Sequence, residues 1–201
     1  MGKKTRPREP ESGPLDLLIE GNARYVANAP RERDFSAGRA SRALGQAPFA
    51  AVLGCADSRV APELAFDQGP GDLFVVRVAG NVVTDGGLAS LEYAVIVLGV
   101  RLILVLGHSG CGAVKATVTA LKDGNRLPGH IAGLVRAMKP GIAPVLGRPG
   151  NLESAAVEAN VRHNVDRLRH AGPLLADLVG KGELSVVGGV YDLATGRVEF
   201  M

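Results

Sequence analysis

Residues 102–112 read Leu-Ile-Leu-Val-Leu-Gly-His-Ser-Gly-Cys-Gly, and this stretch decides the fold. Its five leading apolar residues are typical of a short strand that is buried on both faces. The glycine-rich segment after them is a loop, and residues 113–121 then follow a helical pattern. A buried strand that runs through a loop into a helix is the building unit of sheets covered by helices.

Three other apolar runs have the same character, at residues 49–53, 73–78 and 185–190. A turn signal at Thr195-Gly196 precedes residues 197–201, which we expect to add a short antiparallel edge strand. Helical patterns separate the strands, and they cover residues 14–29, 88–98, 113–121, 128–138, 152–168 and 173–179.

This alternation predicts an α/β fold with a mainly parallel four-stranded sheet flanked by helices. A short antiparallel edge strand and an N-terminal helical arm complete the predicted fold. Residues 31–46 are polar and weakly periodic, which predicts an extended arm or a short helix followed by a loop.

Length and charge indicate one domain with a tail. Of the 201 residues, we expect 1–13 to be a disordered basic tail and 14–201 a single domain. The first eight residues carry four basic side chains and no acidic one; removing those four from 23 basic residues leaves 19 against 20 acidic. A nearly neutral domain does not show the excess of basic residues that is typical of nucleic-acid-binding domains, so we expect no nucleic-acid partner. The apolar runs are too short to span a bilayer and residues 1–14 lack a signal peptide's apolar core, so we predict a cytoplasmic protein without a membrane partner.

The only two cysteines lie in loops that follow predicted strands. Cys55 stands in Gly-Cys-Ala-Asp-Ser-Arg-Val at residues 54–60, and Cys111 ends the loop that begins after His108. Sites in parallel sheets form at the carboxyl ends of strands, so both loops open at the same end if these strands are neighbours. Two thiolates and one imidazole suit zinc, and three protein ligands leave the fourth position open, as in catalytic sites. We predict one Zn²⁺ per chain on Cys55, His108 and Cys111.

Asp57 and Arg59 stand two and four residues after the first cysteine. The carboxylate has two plausible roles, since it can accept a hydrogen bond from a water molecule on the metal or displace that water as a ligand. Arg59 decides between them if it holds the carboxylate in a bidentate pair. The alternative is that Asp57 caps a helix starting near Pro62 and Arg59 is a surface charge.

The paired motifs Cys-Ala-Asp-Ser-Arg-Val and Gly-His-Ser-Gly-Cys-Gly resemble those of the β-class carbonic anhydrases. Residues 69–81, 90–97 and 188–192 are similar to further segments of that family. The chain has no Trp, whereas one subgroup of the family uses a Trp at a regulatory bicarbonate site. Gln46 stands nine residues before Cys55, where plant-type members of the family have a substrate-binding glutamine. Together with the absence of Trp, this resemblance favours the plant-like subgroup.

The resemblance implies a lyase that uses zinc to hydrate carbon dioxide reversibly to bicarbonate and a proton. It implies that Asp57 and Arg59 form a catalytic pair, and that the protein is a homodimer or homotetramer with its pocket at the interface and its N-terminal helix around the neighbour. For Phe74 and Tyr93 the alternative is an ordinary packing role. The substrate-binding positions that the resemblance implies are Gln46, Phe74, Tyr93 and Gly112.

Three other interpretations stay open at this point. The same zinc site suits hydrolysis of a sulfur analogue, COS or CS₂. A non-catalytic zinc-binding regulatory protein would keep the ligands, but it has no need of Asp57 and Arg59. A redox role predicts a disulfide between Cys55 and Cys111 and no metal.

The remaining histidines are candidates for moving protons, because imidazole titrates near neutral pH. His163 and His170 lie seven residues apart in a charged segment, so we expect both on a solvated helix face. The sequence does not decide the environment of His130.

Overall fold

The structure is a computed structural model that describes residues 13–201. The predicted basic tail therefore lies outside the described residues, except for Gly13. Two short 3₁₀ helices, Ala79–Asn81 and Ala143–Val145, supplement the main elements. In chain order these are α1 Pro14–Val26, α2 Arg39–Arg42, β1 Ala50–Gly54, α3 Pro62–Ala65, β2 Leu73–Arg77, α4 Asp85–Ile96, β3 Leu102–His108, α5 Gly112–Asp123, α6 Ile131–Ile142, α7 Leu152–Arg169, α8 Leu174–Gly180, β4 Ser185–Tyr191 and β5 Val198–Phe200.

The five strands form one sheet in the order β2-β1-β3-β4-β5. The first four are parallel and β5 runs antiparallel to β4, so the predicted sheet and its edge strand are confirmed. β1 and β3 are buried at every position because they lie in the interior of the sheet. They are direct neighbours, with Gly54 opposite Leu106. The loops that carry the two cysteines therefore open at the same end of the sheet.

Each face of the sheet packs against its own helices, because successive strand residues point to opposite faces. In β1, Ala51 and Leu53 belong to the apolar cluster that includes α4, α7 and α8. Ala50 and Val52 belong to the opposite cluster, which includes α1 and α3. A third cluster surrounds the two cysteines and is closed by α5, α6 and α7.

Helix α1 is docked on its own chain. Leu18 is fully buried in the cluster under α1. The Asn22 amide donates to the carbonyls of Ala65 (2.9 Å) and Gly196 (2.8 Å), and its oxygen accepts from the Val198 N–H at 2.9 Å. The predicted N-terminal helix thus ties α3 to the edge strand β5.

The polar segment after α1 is fastened to the buried carboxylate of Asp67, just beyond α3. Arg24 donates to Asp67 from α1 at 2.5 Å, and Arg33 also forms an ion pair with it. The backbone N–H of Arg31 adds a hydrogen bond of 3.2 Å. Within residues 13–201, no helix is long and apolar enough to cross a membrane.

Candidate metal centre

Three buried side chains converge at the carboxyl ends of β1 and β3. The possible ligand atoms of Cys55, His108 and Cys111 all lie within 4.8 Å of one another. The two Sγ atoms are 4.0 Å apart, about twice the length of a disulfide bond, and both thiols are free. Sulfurs that each lie about 2.3 Å from one tetrahedral ion would be about 3.8 Å apart. The spacing therefore fits a shared zinc ion.

His108 presents one unpaired nitrogen to the two sulfurs. Its Nδ1 lies 2.9 Å from the carbonyl oxygen of Ser109, a contact that requires the hydrogen on Nδ1. Nε2 is buried and has no hydrogen-bond partner among the described residues. A buried nitrogen left unpaired is costly, and the free lone pair of this tautomer is what a metal ion would accept.

The second cysteine lies at the start of a helix. Cys111 is the N-cap residue of α5, where unpaired N–H groups favour a thiolate over a thiol. The loop before it depends on close packing. A Cβ atom at Gly107 would lie 2.5 Å from the side chain of Val161 in α7, so only glycine lets the helix approach the strand here.

Asp57 and Arg59 form a bidentate pair beside the three ligands. Arg59 Nε donates to Asp57 Oδ1 at 2.9 Å, Arg59 Nη2 donates to Oδ2 at 2.7 Å, and the Arg59 N–H adds a bond to Oδ1 at 3.0 Å. Asp57 Oδ2 lies 3.8 Å from His108 Nε2. The N-cap of α3 is Ala61, without any side-chain cap, so the alternative role of Asp57 as a helix cap is wrong.

Arg77 holds the loop that carries this pair, although no sequence motif assigned it a role. Its guanidinium donates to the carbonyls of Cys55 (2.9 Å), Asp57 (2.6 Å) and Val60 (2.9 Å). The signal in the sequence was an arginine near the end of the apolar run at residues 73–78. The structure adds that this arginine lies opposite Gly54 at the end of β1.

The charges of the site favour a bound cation. Arg59 lowers the pKa of the Asp57 carboxyl well below its usual range, so Asp57 is ionised. The hydrogen bond with Cys111 lowers the pKa of Cys55 to about 4. The same contact, together with burial, outweighs the N–H groups at the start of α5 and raises the pKa of Cys111. One of the two thiols thus keeps its proton as long as no cation lies between them.

The predicted substrate-binding residues divide into two groups. Gly112 follows Cys111 directly and belongs to the site. Phe74 is aligned with Ala51, roughly 13 Å along β1 from Cys55, and its ring centroid lies 6.3 Å from that of Tyr93. Gln46 is exposed at the other end of β1. A single chain therefore does not bring Gln46, Phe74 or Tyr93 to its own three ligands.

The prediction for the remaining histidines is right in one case and wrong in the other. His170 is exposed, as expected. His163 is half-buried where α7 crosses α6, because Gly141 leaves room for its side chain, and burial lowers its pKa. His130 is exposed before α6.

Comparison with known proteins gives a consistent result. A family model described as carbonic anhydrase matches residues 50–198, which include all three candidate ligands. The carbonic anhydrase of Mycolicibacterium smegmatis is 45% identical over 196 residues, covering 94% of each chain.

Solved structures agree with the sequence comparison. The β-carbonic anhydrase CcaA superposes with a TM-score of 0.73 at 30% identity, covering 92% of this chain and 94% of that one. One of two tetrameric β-carbonic anhydrases from the ascomycete Sordaria macrospora gives 0.71 at 25% identity, covering 93% and 95%. The likeness therefore extends over more than nine-tenths of the chain and not only over the site.

Proposed function

This chain belongs to the β-carbonic anhydrase family, and from that premise we propose that it catalyses the reversible hydration of carbon dioxide to bicarbonate and a proton. The observation that carries the proposal is the site itself. Three buried ligand atoms lie within 4.8 Å of one another, with an ionised, arginine-held carboxylate beside them. A purely structural zinc site closes with a fourth protein ligand, whereas a catalytic one leaves that position open.

Cys55, His108 and Cys111 would hold one zinc ion per chain. The fit rests on the sulfur spacing and on the unpaired, buried Nε2 of His108. When bound, zinc acidifies a water molecule so that it reacts as hydroxide near neutral pH. Ser109 fixes the tautomer of His108 through its carbonyl oxygen, which keeps Nε2 available as a ligand atom.

Asp57 orients the attacking water. Its carboxylate is ionised and can only accept a hydrogen bond, so it fixes where the water hydrogen points and turns an oxygen lone pair toward carbon dioxide. Arg59 occupies both carboxylate oxygens and holds Asp57 away from the ligand position. The N-terminus of α5 at Gly112 offers N–H groups to the bicarbonate product.

A second copy of the chain completes the pocket. Gln46, Phe74 and Tyr93 lie away from their own ligands, so as substrate-binding residues they would serve the partner's site. Tyr93 lies on an exposed apolar surface of α4 with Ile96 and Val97, each about half exposed. Such a patch suits a homodimer or homotetramer interface. We assign the chain to the plant-like subgroup because it has Gln46 and no Trp, and we propose a cytoplasmic location.

Stopped-flow measurement of carbon dioxide hydration tests the proposal. The purified, zinc-analysed protein should turn over at mildly alkaline pH with about one zinc per chain. Cys111→Ser should lose both zinc and turnover. Faster hydrolysis of COS than hydration of carbon dioxide would replace the proposal with a sulfur substrate. Zinc without turnover on either substrate would support the regulatory alternative, and a disulfide without zinc the redox one.

A further inference from the structure

Two asparagines of α7 are buried against the backbone segment 80–83. Asn160 and Asn164 are 1% and 0% exposed and lie one turn apart. Burying an amide side chain costs free energy unless its nitrogen and oxygen are hydrogen-bonded. The hydrogen bonds of these two side chains should therefore show why they are buried. Both side chains bond to the segment that contains the short 3₁₀ helix Ala79–Asn81.

The orientation of both amides follows from one backbone group. The Val83 N–H can only donate, and it lies 2.9 Å from Asn164, so that side-chain atom is the oxygen. The Asn164 amide nitrogen then donates to Asn160 Oδ1 at 3.2 Å and to the Asn160 carbonyl at 2.8 Å. Asn160 in turn must present its nitrogen to the Gly80 carbonyl, at 2.8 Å.

Gly80 connects this chain of hydrogen bonds to the metal ligands. Its N–H donates to Cys55 Sγ at 3.2 Å, while its carbonyl is held by Asn160. Its φ of 73° is in the left-handed region, and a Cβ atom here would lie 2.6 Å from the sulfur of Met138. The residue is therefore fixed by backbone conformation, by packing and by a hydrogen bond on each side.

We propose that Asn160 is a positioning residue for the metal centre: it holds Gly80 so that the Gly80 N–H stays bonded to the ligand sulfur of Cys55. An N–H bond to a thiolate withdraws electron density from the sulfur and orients its remaining lone pairs, which tunes the bound metal. The inference rests on the metal site of the proposed function but not on carbon dioxide being the substrate.

Asn160→Ala tests the proposal, with Asn22→Ala as the matched control. Asn22 is also buried and bonds through its side chain to three backbone groups, but it lies between α3 and β5. Both variants lose a buried amide, so both should unfold more easily. Only Asn160→Ala should weaken zinc binding, by about 10-fold or more in a chelator competition. It should also shift the sulfur-to-metal charge-transfer band of the cobalt-substituted protein.

A second measurement needs no variant. In the protein loaded with ¹¹³Cd, the Gly80 amide proton should show a scalar coupling to the metal through Cys55 Sγ. Absence of that coupling overturns the proposal, whether or not Asn160→Ala folds. Equal zinc affinity and equal cobalt spectra for the two variants overturn it as well. Failure of the wild-type protein to bind zinc or cadmium would instead contradict the proposed function.

Discussion

Two aspartates ten residues apart each pair with arginine, and they differ in nearly every other respect. Asp57 pairs with Arg59 two residues away, and the side chains are 16% and 57% exposed. Asp67 pairs with Arg24 and Arg33, which lie 43 and 34 residues earlier. Its carboxylate is only 2% exposed and the two arginines are 24% and 20% exposed.

The difference separates a pair that serves chemistry from a pair that serves the fold. The bond from Arg59 to Asp57 closes a local loop that water can reach, so it contributes little to stability. Its value is that it fixes an ionised carboxylate 3.8 Å from the imidazole of His108. Asp67 instead joins α1 and the segment after it to the end of α3, and removing it would leave two arginines without their partner.

The largest effect should come from Asp57→Asn. The amide cannot act as a pure acceptor and no longer attracts Arg59, so kcat/KM for carbon dioxide hydration should fall by about 10²- to 10⁴-fold. Zinc content and the thermal midpoint should stay at wild-type values. If the free energy of unfolding fell by as much as the loss of transition-state stabilisation calculated from the rates, this pair would also stabilise the fold.

Asp67→Asn should lower the stability of the fold and leave the rate of hydration unchanged. Removing one partner of a buried ion pair should lower the free energy of unfolding by about 3 kcal/mol, measured by urea denaturation. Turnover per folded, zinc-containing chain should be unchanged. A loss of turnover at full zinc occupancy would mean that the residues held by Asp67 also shape the pocket.

Acid should remove the stabilisation that Asp67 provides. Burial alone would raise the pKa of its carboxyl, but the hydrogen bonds from Arg24 and Arg33 outweigh burial and the pKa is lowered. A depressed folded-state pKa contributes stability that is complete above the unfolded value of about 3.9 and is lost as pH falls through the folded value. The difference in unfolding free energy between wild type and Asp67→Asn should be constant near neutral pH and should shrink in acid. A difference that does not depend on pH would assign the stabilisation to packing.

The smallest effect should come from Arg59→Lys. Lysine keeps the charge but cannot bond both carboxylate oxygens in a planar pair, so Asp57 gains freedom. We expect kcat/KM to fall by about 10-fold, with stability unchanged. A rate equal to that of wild type would mean that charge alone, without the bidentate geometry, is sufficient.

Short-range patterns in the sequence predicted most of the secondary structure. The predicted strand at residues 102–106 and the one at 73–78 match β3 and β2 to within two residues, because apolar runs bounded by Gly and polar residues leave few alternatives. The order of the strands was not available from the sequence. Packing places β1 beside β3, and because these two strands are adjacent, Cys55 lies near His108.

Polar contacts between residues far apart in the chain could not be predicted from the sequence. Arg33 lies in the polar segment 31–46, where nothing marks it as the partner of Asp67. Asn160 and Asn164 stand at helical spacing among the buried residues of α7, which is the signal that could have found them. That signal does not say what they bond, because their partners, Gly80 and Val83, are 80 and 81 residues away.

A zinc titration of the metal-free protein tests the central claim most directly, with carbon dioxide hydration followed by stopped flow. If Cys55, His108 and Cys111 form a catalytic centre, turnover should be absent at the start. It should then rise in proportion to added zinc and level off at about one zinc per chain. Turnover before zinc is added, or none once the site is filled, would contradict the account.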